Sequence, residues 1–213
     1  MAETREGRHQ KRRALAERRL LEEGLKLMGA KGVYACKVEE ITRAAGVGKG
    51  TFFTHFDSKE AYVVRLVERV LDDLARRVRP LGLSPTDAES LLAGMGAVHL
   101  RFFQLRPEAA ALITQACGLA EGEPLNHHIA GRMSEHLALM TDMLAPACDQ
   151  LGWPRERVRE LALMLFSTSV GFFWFGRPLG LGHDTPMALL DRLGRALARG
   201  LAGKGNAAGD QGF

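Results

Sequence analysis

The sequence predicts an all-α protein with a small N-terminal three-helix domain followed by a larger helical domain. Two observations support this fold class. Apolar residues recur at spacings of three and four along most of the 213-residue chain, and glycine and proline interrupt the pattern where helices would end. No segment shows the sustained apolar–polar alternation that predicts a strand. With 46% hydrophobic residues, the chain can bury a substantial core.

The first helix is predicted from Leu21, Leu25 and Met28, which are spaced by four and three residues. The pattern ends at Gly32, a residue that commonly follows a helix. The basic segment 8–19 precedes this helix and can either continue it or form a separate arm.

A second, short helix fits Val38, Ile41 and Ala45. Gly46 closes it because glycine accepts the left-handed conformation at a helix end. A third helix then begins with Gly48 as its N-cap. Two short helices joined by a tight turn form a helix-turn-helix, in which the second helix enters the major groove of DNA.

The fourth helix is predicted from about Ser58 to Arg79, where Pro80 stops it. Asp57 followed by Glu60 has the form of an N-cap with its N3 partner. The helical pattern then continues to the C-terminal region.

Three segments are predicted along the chain. Residues 1–57 form a basic arm and the helix-turn-helix domain, and residues 58–202 form a helical ligand-binding and dimerisation domain. Residues 203–213 are rich in glycine and alanine, which predicts a disordered tail.

Positive charge is concentrated near the N-terminus. Residues 1–60 contain 13 Lys/Arg and 9 Asp/Glu, whereas residues 61–213 contain 16 of each. This asymmetry favours a polyanionic partner, although a solvated tail has a similar composition.

Other classes of protein fit the sequence poorly. The three cysteines show no C-x-x-C spacing, the charged N-terminus lacks the apolar core of a signal peptide, and the uncharged run 161–175 is shorter than the roughly 20 residues of a membrane span. The segment GVGKG at 46–50 does not have the spacing of a phosphate loop and follows a helix. No metal or nucleophile motif is present. We therefore expect a cytoplasmic protein that is not an enzyme and needs no cofactor or metal.

Residues 15–65 resemble the DNA-binding domain of the tetracycline-repressor (TetR) family. The resemblance lies in the first helix ending at Gly32 and in the segments VEEITRAAGV, KGTFFTHF and SKEA. It implies a helical homodimer that represses transcription from a palindromic operator. It also implies a C-terminal domain that binds a small molecule and then releases DNA. The methionine and aromatic residues of that domain favour a largely apolar molecule.

The resemblance assigns DNA contacts to the arm, the helix-turn-helix and the start of the next helix. The assigned residues are Lys11, Arg12, Arg13, Lys37, Thr42, Arg43, Lys49, Gly50, Thr51, Phe53, Thr54, His55 and Lys59. We expect Lys49 and Thr51 to read bases, and Lys37, His55 and Lys59 to supply affinity. Phe53 stands where the family usually has a tyrosine, so one phosphate contact is expected to be absent. The arm either continues the first helix or enters the minor groove.

A stripe of methionine, leucine and aromatic residues in the larger domain has two interpretations, an ordinary core or the wall of a ligand pocket. The pocket candidates are Met95, His99, Phe102, Phe103, Met133, Leu137, Met140 and Phe166. Two helices at about 154–175 and 186–201 are apolar enough to form a dimer interface. The interface candidates are Leu161, Leu165, Phe172, Leu189, Leu193 and Leu197.

A second functional hypothesis stays open at this point. The chain could be a helix-turn-helix DNA-binding protein without a small-molecule ligand that is controlled by a protein partner. A small molecule that weakens DNA binding would separate the two hypotheses.

Overall fold

The computed structural model describes residues 5–83, 87–118, 124–149, 153–176 and 178–180, together with positions 188, 192 and 195. Within these ranges the chain forms eight α-helices and one 3₁₀ helix, and no strand. The prediction of an all-α fold is confirmed. The elements are α1 (Arg5–Lys31), α2 (Val38–Ala45), α3 (Lys49–His55), α4 (Lys59–Val78), the 3₁₀ helix (Arg79–Leu83), α5 (Ala88–Leu105), α6 (Pro107–Cys117), α7 (Pro124–Asp149) and α8 (Arg155–Gly176).

The described residues divide into two compact units. The first contains the chain up to Val70 together with Pro107–Arg132, and the second contains Leu71–Arg106 and the described residues from Met133 onward. The division passes through α4 and α7. It therefore differs from the predicted boundary after residue 57, because α6 and the first half of α4 belong to the unit with the helix-turn-helix.

An aromatic cluster holds the first unit together. The rings of Phe52, Phe56 and Tyr62 lie with their centroids 4.8–5.3 Å apart, and all three side chains are buried. The Tyr62 hydroxyl donates a 2.6 Å hydrogen bond to the backbone carbonyl of Leu20, and burial raises the pKa of this tyrosine. A Cβ at Gly24 would lie only 1.5 Å from that hydroxyl oxygen, so α1 and α4 meet at a position where only glycine fits. The cluster fixes α3 against α1 and α4.

The helix ends agree with the sequence in most places. Gly46 has φ +67° and ends α2, and Gly48 is the N-cap of α3, as predicted. The predicted cap of the fourth helix is wrong by one residue. The Ser58 hydroxyl, and not Asp57, accepts the hydrogen bond from the Ala61 N–H at 3.1 Å. A cap one residue later accounts for the start of α4 at Lys59.

The second unit is built on the packing of α8 against α5. One face of α8 is buried and the other presents large apolar side chains to solvent. Among the described residues, α8 is the one helix whose length and composition would allow it to span a membrane, a property it shares with core helices of water-soluble proteins. The predicted helix 186–201 and the predicted tail 203–213 lie outside the described residues, apart from three helical positions at 188, 192 and 195.

Candidate nucleic-acid interface and ligand site

The first turn of α3 is open to the surroundings. Lys49 and Gly50 are exposed, Thr51 is half-buried, and a Cβ placed on Gly48 or Gly50 would meet no atom within 4 Å. On the opposite face of the helix, Phe52 is fully buried. The helix therefore has one face anchored in the aromatic cluster and an N-terminal end that another backbone can approach closely.

Lys49 has a partner that sequence reasoning missed. Its Nζ lies 2.5 Å from Glu39 Oε1 across the turn, with both side chains exposed. The hydrogen bond from Lys49 is the largest cause that lowers the pKa of Glu39. An anion that binds Lys49 must therefore compete with Glu39. The sequence signal for this pair was the acidic residue in the first turn of α2, where carboxylates also favour the helix dipole.

Several predicted cations remain on the surface of the first unit. Lys37 and Arg43 are exposed at the start and end of α2. The Lys37 backbone N–H donates to Glu40 Oε2 at 3.0 Å, so this residue also closes the start of α2. Lys59 is half-buried and its ammonium donates to the Tyr34 carbonyl at 3.0 Å, so this cation is partly committed to the protein.

The basic arm continues the first helix. Of the two alternatives for residues 8–19, the structure shows the helical one, because α1 runs without interruption from Arg5. Lys11, Arg12 and Arg13 are exposed on it. Arg13 Nη2 lies 3.5 Å from the backbone carbonyl of Thr54, which brings the arm beside the last turn of α3.

Two residues predicted to contact DNA, Thr42 and His55, have buried side chains. Thr42 is 5% exposed and its hydroxyl donates to the Glu39 carbonyl at 3.2 Å, because it occupies the inner face of α2. The His55 side chain is 4% exposed, with Nδ1 3.9 Å from Glu17 Oε2. It lines a groove of about 700 Å³ within the first unit. Phe53 and Thr54 are exposed, as a surface role requires.

Most of the predicted pocket residues lie in the interior of the second unit. Met95, His99, Phe102, Phe103, Met140 and Phe166 are buried, and Met133 and Leu137 are half-buried. Phe166 is central among them, since its ring lies 5.7 Å from His99 and 6.1 Å from Phe103. This packing agrees with the core interpretation for these side chains.

His136 is a buried polar residue that sequence reasoning missed. Its Nε2 lies 3.0 Å from Nε2 of His99, and its ring lies 5.7 Å from Phe166. Its position three residues after Met133 and four before Met140, within the same helical stripe, was the signal that could have identified it. No third His, Cys, Asp or Glu in the described part of the chain joins the pair to make a metal site.

Hydrogen bonding fixes the tautomers of the two histidines. His99 Nδ1 lies 2.7 Å from the Met95 carbonyl, which can only accept, so Nδ1 carries the proton and the neutral ring leaves Nε2 as an acceptor. The 3.0 Å contact then requires a proton on His136 Nε2. His136 Nδ1 is left as a bare acceptor, and no donor reaches it within the described residues.

Both histidines are held in their neutral form. Burial lowers the pKa of His99 to about 4. Burial, followed by repulsion from His99, lowers the pKa of His136 to about 3. The pair is therefore an uncharged polar group within an apolar interior, with one acceptor unsatisfied.

Two of the predicted interface residues have buried side chains. Leu161 and Leu165 are buried in their own unit. The exposed face of α8 instead carries Leu163 and Met164 and continues about three turns later with Trp174 and Phe175. Phe172 is half-buried. Leu189, Leu193 and Leu197 lie outside the described residues.

The fold around α3 is that of a helix-turn-helix. Two short helices meet across a glycine turn, an aromatic cluster anchors the second, and cations surround its open end. Residues 20–66 match the family model described as bacterial regulatory proteins, tetR family. This match covers α2, α3 and the adjoining parts of α1 and α4, so this segment of the chain is similar to the DNA-binding domain of that family.

Comparisons with known proteins give a relative in sequence and two in fold. Over 76 residues, the chain is 34% identical to the HTH-type transcriptional repressor KstR2 of Rhodococcus jostii (strain RHA1), a match covering 36% of this chain and 37% of KstR2. The match therefore spans little more than a third of that relative. The fold is similar to FadR from Bacillus halodurans, with a TM-score of 0.72 and 16% identity over 85% of this chain and 97% of FadR. FadR from Bacillus subtilis in complex with stearoyl-CoA gives a TM-score of 0.69 and 18% identity over 86% and 96% of the two chains.

Proposed function

We propose that this protein is a transcriptional repressor that binds a palindromic operator as a homodimer and is released by a small, largely apolar molecule. The observation that carries the proposal is the open N-terminal end of α3, where Lys49 and Gly50 are exposed, Thr51 is half-buried and a Cβ on Gly50 would meet no atom within 4 Å. Side chains at the first turn of a recognition helix contact base edges when the helix lies in the major groove. Cations around it bind phosphates.

Base readout and phosphate affinity are assigned to different residues. Thr51 and Lys49 contact bases, so Thr51→Ala is expected to change the preference at one base pair of each half-site, at about 1–3 kcal/mol. Lys37 contacts phosphate, so Lys37→Ala weakens binding to all DNA sequences alike. It also lowers the slope of log affinity against log salt concentration by about 1.

The test starts from duplexes selected out of a random-sequence library with the full chain. Fluorescence anisotropy then compares the selected and scrambled duplexes for wild type, Thr51→Ala and Lys37→Ala. Lys26→Ala is the matched control, because this exposed lysine pairs with Glu23 and lies outside the predicted set. An equal loss on both duplexes for Thr51→Ala would contradict the assignment of base readout.

The exposed face of α8 is the proposed dimer interface. Leu163 and Met164 are 51% and 53% exposed, and Phe175 on the same helix is 67% exposed. Large apolar side chains grouped on one face mark an interaction surface, and a two-fold axis lets the same face serve both subunits. Leu163→Glu is expected to give monomers in sedimentation velocity. Leu105→Glu, at an exposed leucine of α5, is the control that should remain dimeric.

The interior of the second unit is the proposed effector site. The Bacillus subtilis FadR structure, which shares this fold, is in complex with stearoyl-CoA, and this supports a long apolar ligand here. The bare acceptor on His136 adds a requirement, because a buried acceptor without a donor costs about 1–3 kcal/mol. An effector that reaches it carries a hydroxyl or an N–H group at that point.

The competing hypothesis is control by a protein partner without a small molecule. The buried packing around Phe166 favours it, because a filled core leaves no room for a ligand. The two hypotheses separate in one titration, in which apolar alcohols and their methyl ethers are added to the protein–operator complex. Release by an alcohol, and more weakly by its ether, supports the effector. A complex that no member of the panel releases supports the protein partner.

A further inference from the structure

A groove of about 340 Å³ lies on the second unit, between the end of α4 and the C-terminal half of α5. Its lining includes three arginines, Arg77, Arg101 and Arg106, and no acidic residue. The remaining lining is apolar, with Phe102 and Leu105 as its largest side chains. The groove thus combines a cationic rim with an apolar floor.

The positive charge of this rim is only partly neutralised. Asp73 is the carboxylate next to it, and it contacts Arg106 closely and Arg77 at 3.7 Å. Arg101 is exposed and forms no ion pair with any described residue. The groove therefore presents three guanidinium groups, and Arg101 is not neutralised by an ion pair with any described residue.

Two of the guanidinium groups are held in place before any ligand arrives. The Cζ atoms of Arg77 and Arg106 lie 5.6 Å and 5.5 Å from the centroid of the Phe102 ring, within the range of cation–π attraction. Asp73 restrains the same two side chains. A restrained arginine loses less conformational entropy when it binds an anion.

The apolar floor needs a covering group. Leu105 is 66% exposed, although it belongs to a helix whose other large apolar side chains are mostly buried. It lies immediately before Arg106 and lines the same groove. A ligand that pairs with the arginines and also covers Leu105 removes this apolar surface from water.

We propose that this groove binds a phosphate monoester that carries an apolar chain. A phosphate monoester has a charge of about −1.5 to −2 near neutral pH, so it attracts several guanidinium groups more strongly than a singly charged carboxylate does. Arginine also pairs with phosphate through two parallel hydrogen bonds. The volume is at the small end for a ligand site, so the groove takes the head group and the first part of the chain. The inference concerns binding alone and stands whether or not the ligand releases DNA.

The test uses dodecyl phosphate below its micelle concentration, with isothermal titration calorimetry on the full chain. Wild type is expected to bind it about tenfold or more tightly than dodecanoate, dodecanol or inorganic phosphate. Arg101→Ala is expected to weaken binding about tenfold or more, because it removes a charge-assisted contact without breaking any ion pair. Arg159→Ala is the matched control, since this arginine is exposed on α8 and lies outside the groove.

Leu105→Ser separates the two parts of the site. It should weaken dodecyl phosphate and leave the weak binding of inorganic phosphate unchanged. Equal affinity of wild type and Arg101→Ala for dodecyl phosphate overturns the proposal, and so does equal affinity for dodecanol and dodecyl phosphate. Parallel titrations use random duplex DNA and anionic lipid vesicles. If Arg101→Ala weakens the binding of duplex DNA or of vesicles but not the binding of dodecyl phosphate, the groove is a contact for a phosphate backbone or a membrane surface, and the proposal is wrong.

Discussion

Acidification is expected to destabilise this protein through the pair His99 and His136. Both are buried and neutral in the folded chain, and their pKa values are about 4 and about 3. In the unfolded chain both return to the ordinary value of 6.5. Their folded pKa values are therefore depressed. Below about pH 6.5 the unfolded state binds more protons than the folded state. The contribution of the two neutral histidines to stability is therefore fully present above that pH, and it is lost as the pH decreases towards the pKa values of the folded state.

The size of the effect follows from the pKa differences. A pH of about 5 is about 1.5 units below the pKa of the unfolded state and above both folded pKa values. Each histidine therefore lowers the free energy of unfolding by about 2 kcal/mol at this pH. The two together cost about 4 kcal/mol, a large part of the about 5–15 kcal/mol that stabilises a typical domain. The slope approaches two protons per molecule, since each ring takes up one proton on unfolding.

Urea unfolding at several pH values between about 7 and 5 measures this loss. The double variant His99→Gln/His136→Gln removes both titrating groups and should lose about 4 kcal/mol less than wild type over this interval. His9→Gln is the control, because this histidine is exposed on α1. If wild type and the double variant lose the same stability between the two pH values, the assignment of buried neutral histidines is wrong.

Three further predictions concern the first unit. Gly24→Ala should lower the free energy of unfolding by about 3 kcal/mol in the urea assay, because a Cβ there would lie 1.5 Å from a buried tyrosine hydroxyl. The control Gly131→Ala, at an exposed helical glycine with open space around it, should raise the free energy of unfolding by about 0.5–1 kcal/mol in the same assay. Phe53→Tyr should tighten operator binding up to about tenfold in fluorescence anisotropy by adding a phosphate donor, and unchanged affinity would show that no phosphate lies within reach of the hydroxyl. Glu39→Gln should tighten binding severalfold at low salt, because it frees Lys49 from a 2.5 Å ion pair, and an equal gain at high salt would exclude this electrostatic cause.

Only part of the candidate site could be predicted from the sequence. The surface positions of cations such as Lys37 and Arg43 could be predicted from their charge and their place at the ends of a short helix. Thr42 and His55 were assigned to the same surface, yet their side chains are buried. Both lie on helices of eight residues or fewer, where inner and outer positions are only one residue apart. Packing against α1 and the rest of the unit decides which of them face inward.

The sequence by itself determined the helices and where they end. Apolar spacing determines which face of a helix is buried. Gly46 ends α2 and Gly48 precedes α3 because of their backbone conformation. Both effects act within a few residues of the chain. Tertiary structure decided which side chains meet. Residues 39 and 49 form an ion pair, and the buried rings of residues 99 and 136 form a hydrogen bond. On α8, packing against α5 buried Leu161 and left Leu163 exposed, although both are leucines on an almost continuously apolar helix. Which of these leucines is buried depends on the position of a helix that is distant in the chain. The local sequence pattern does not indicate from which side that helix packs.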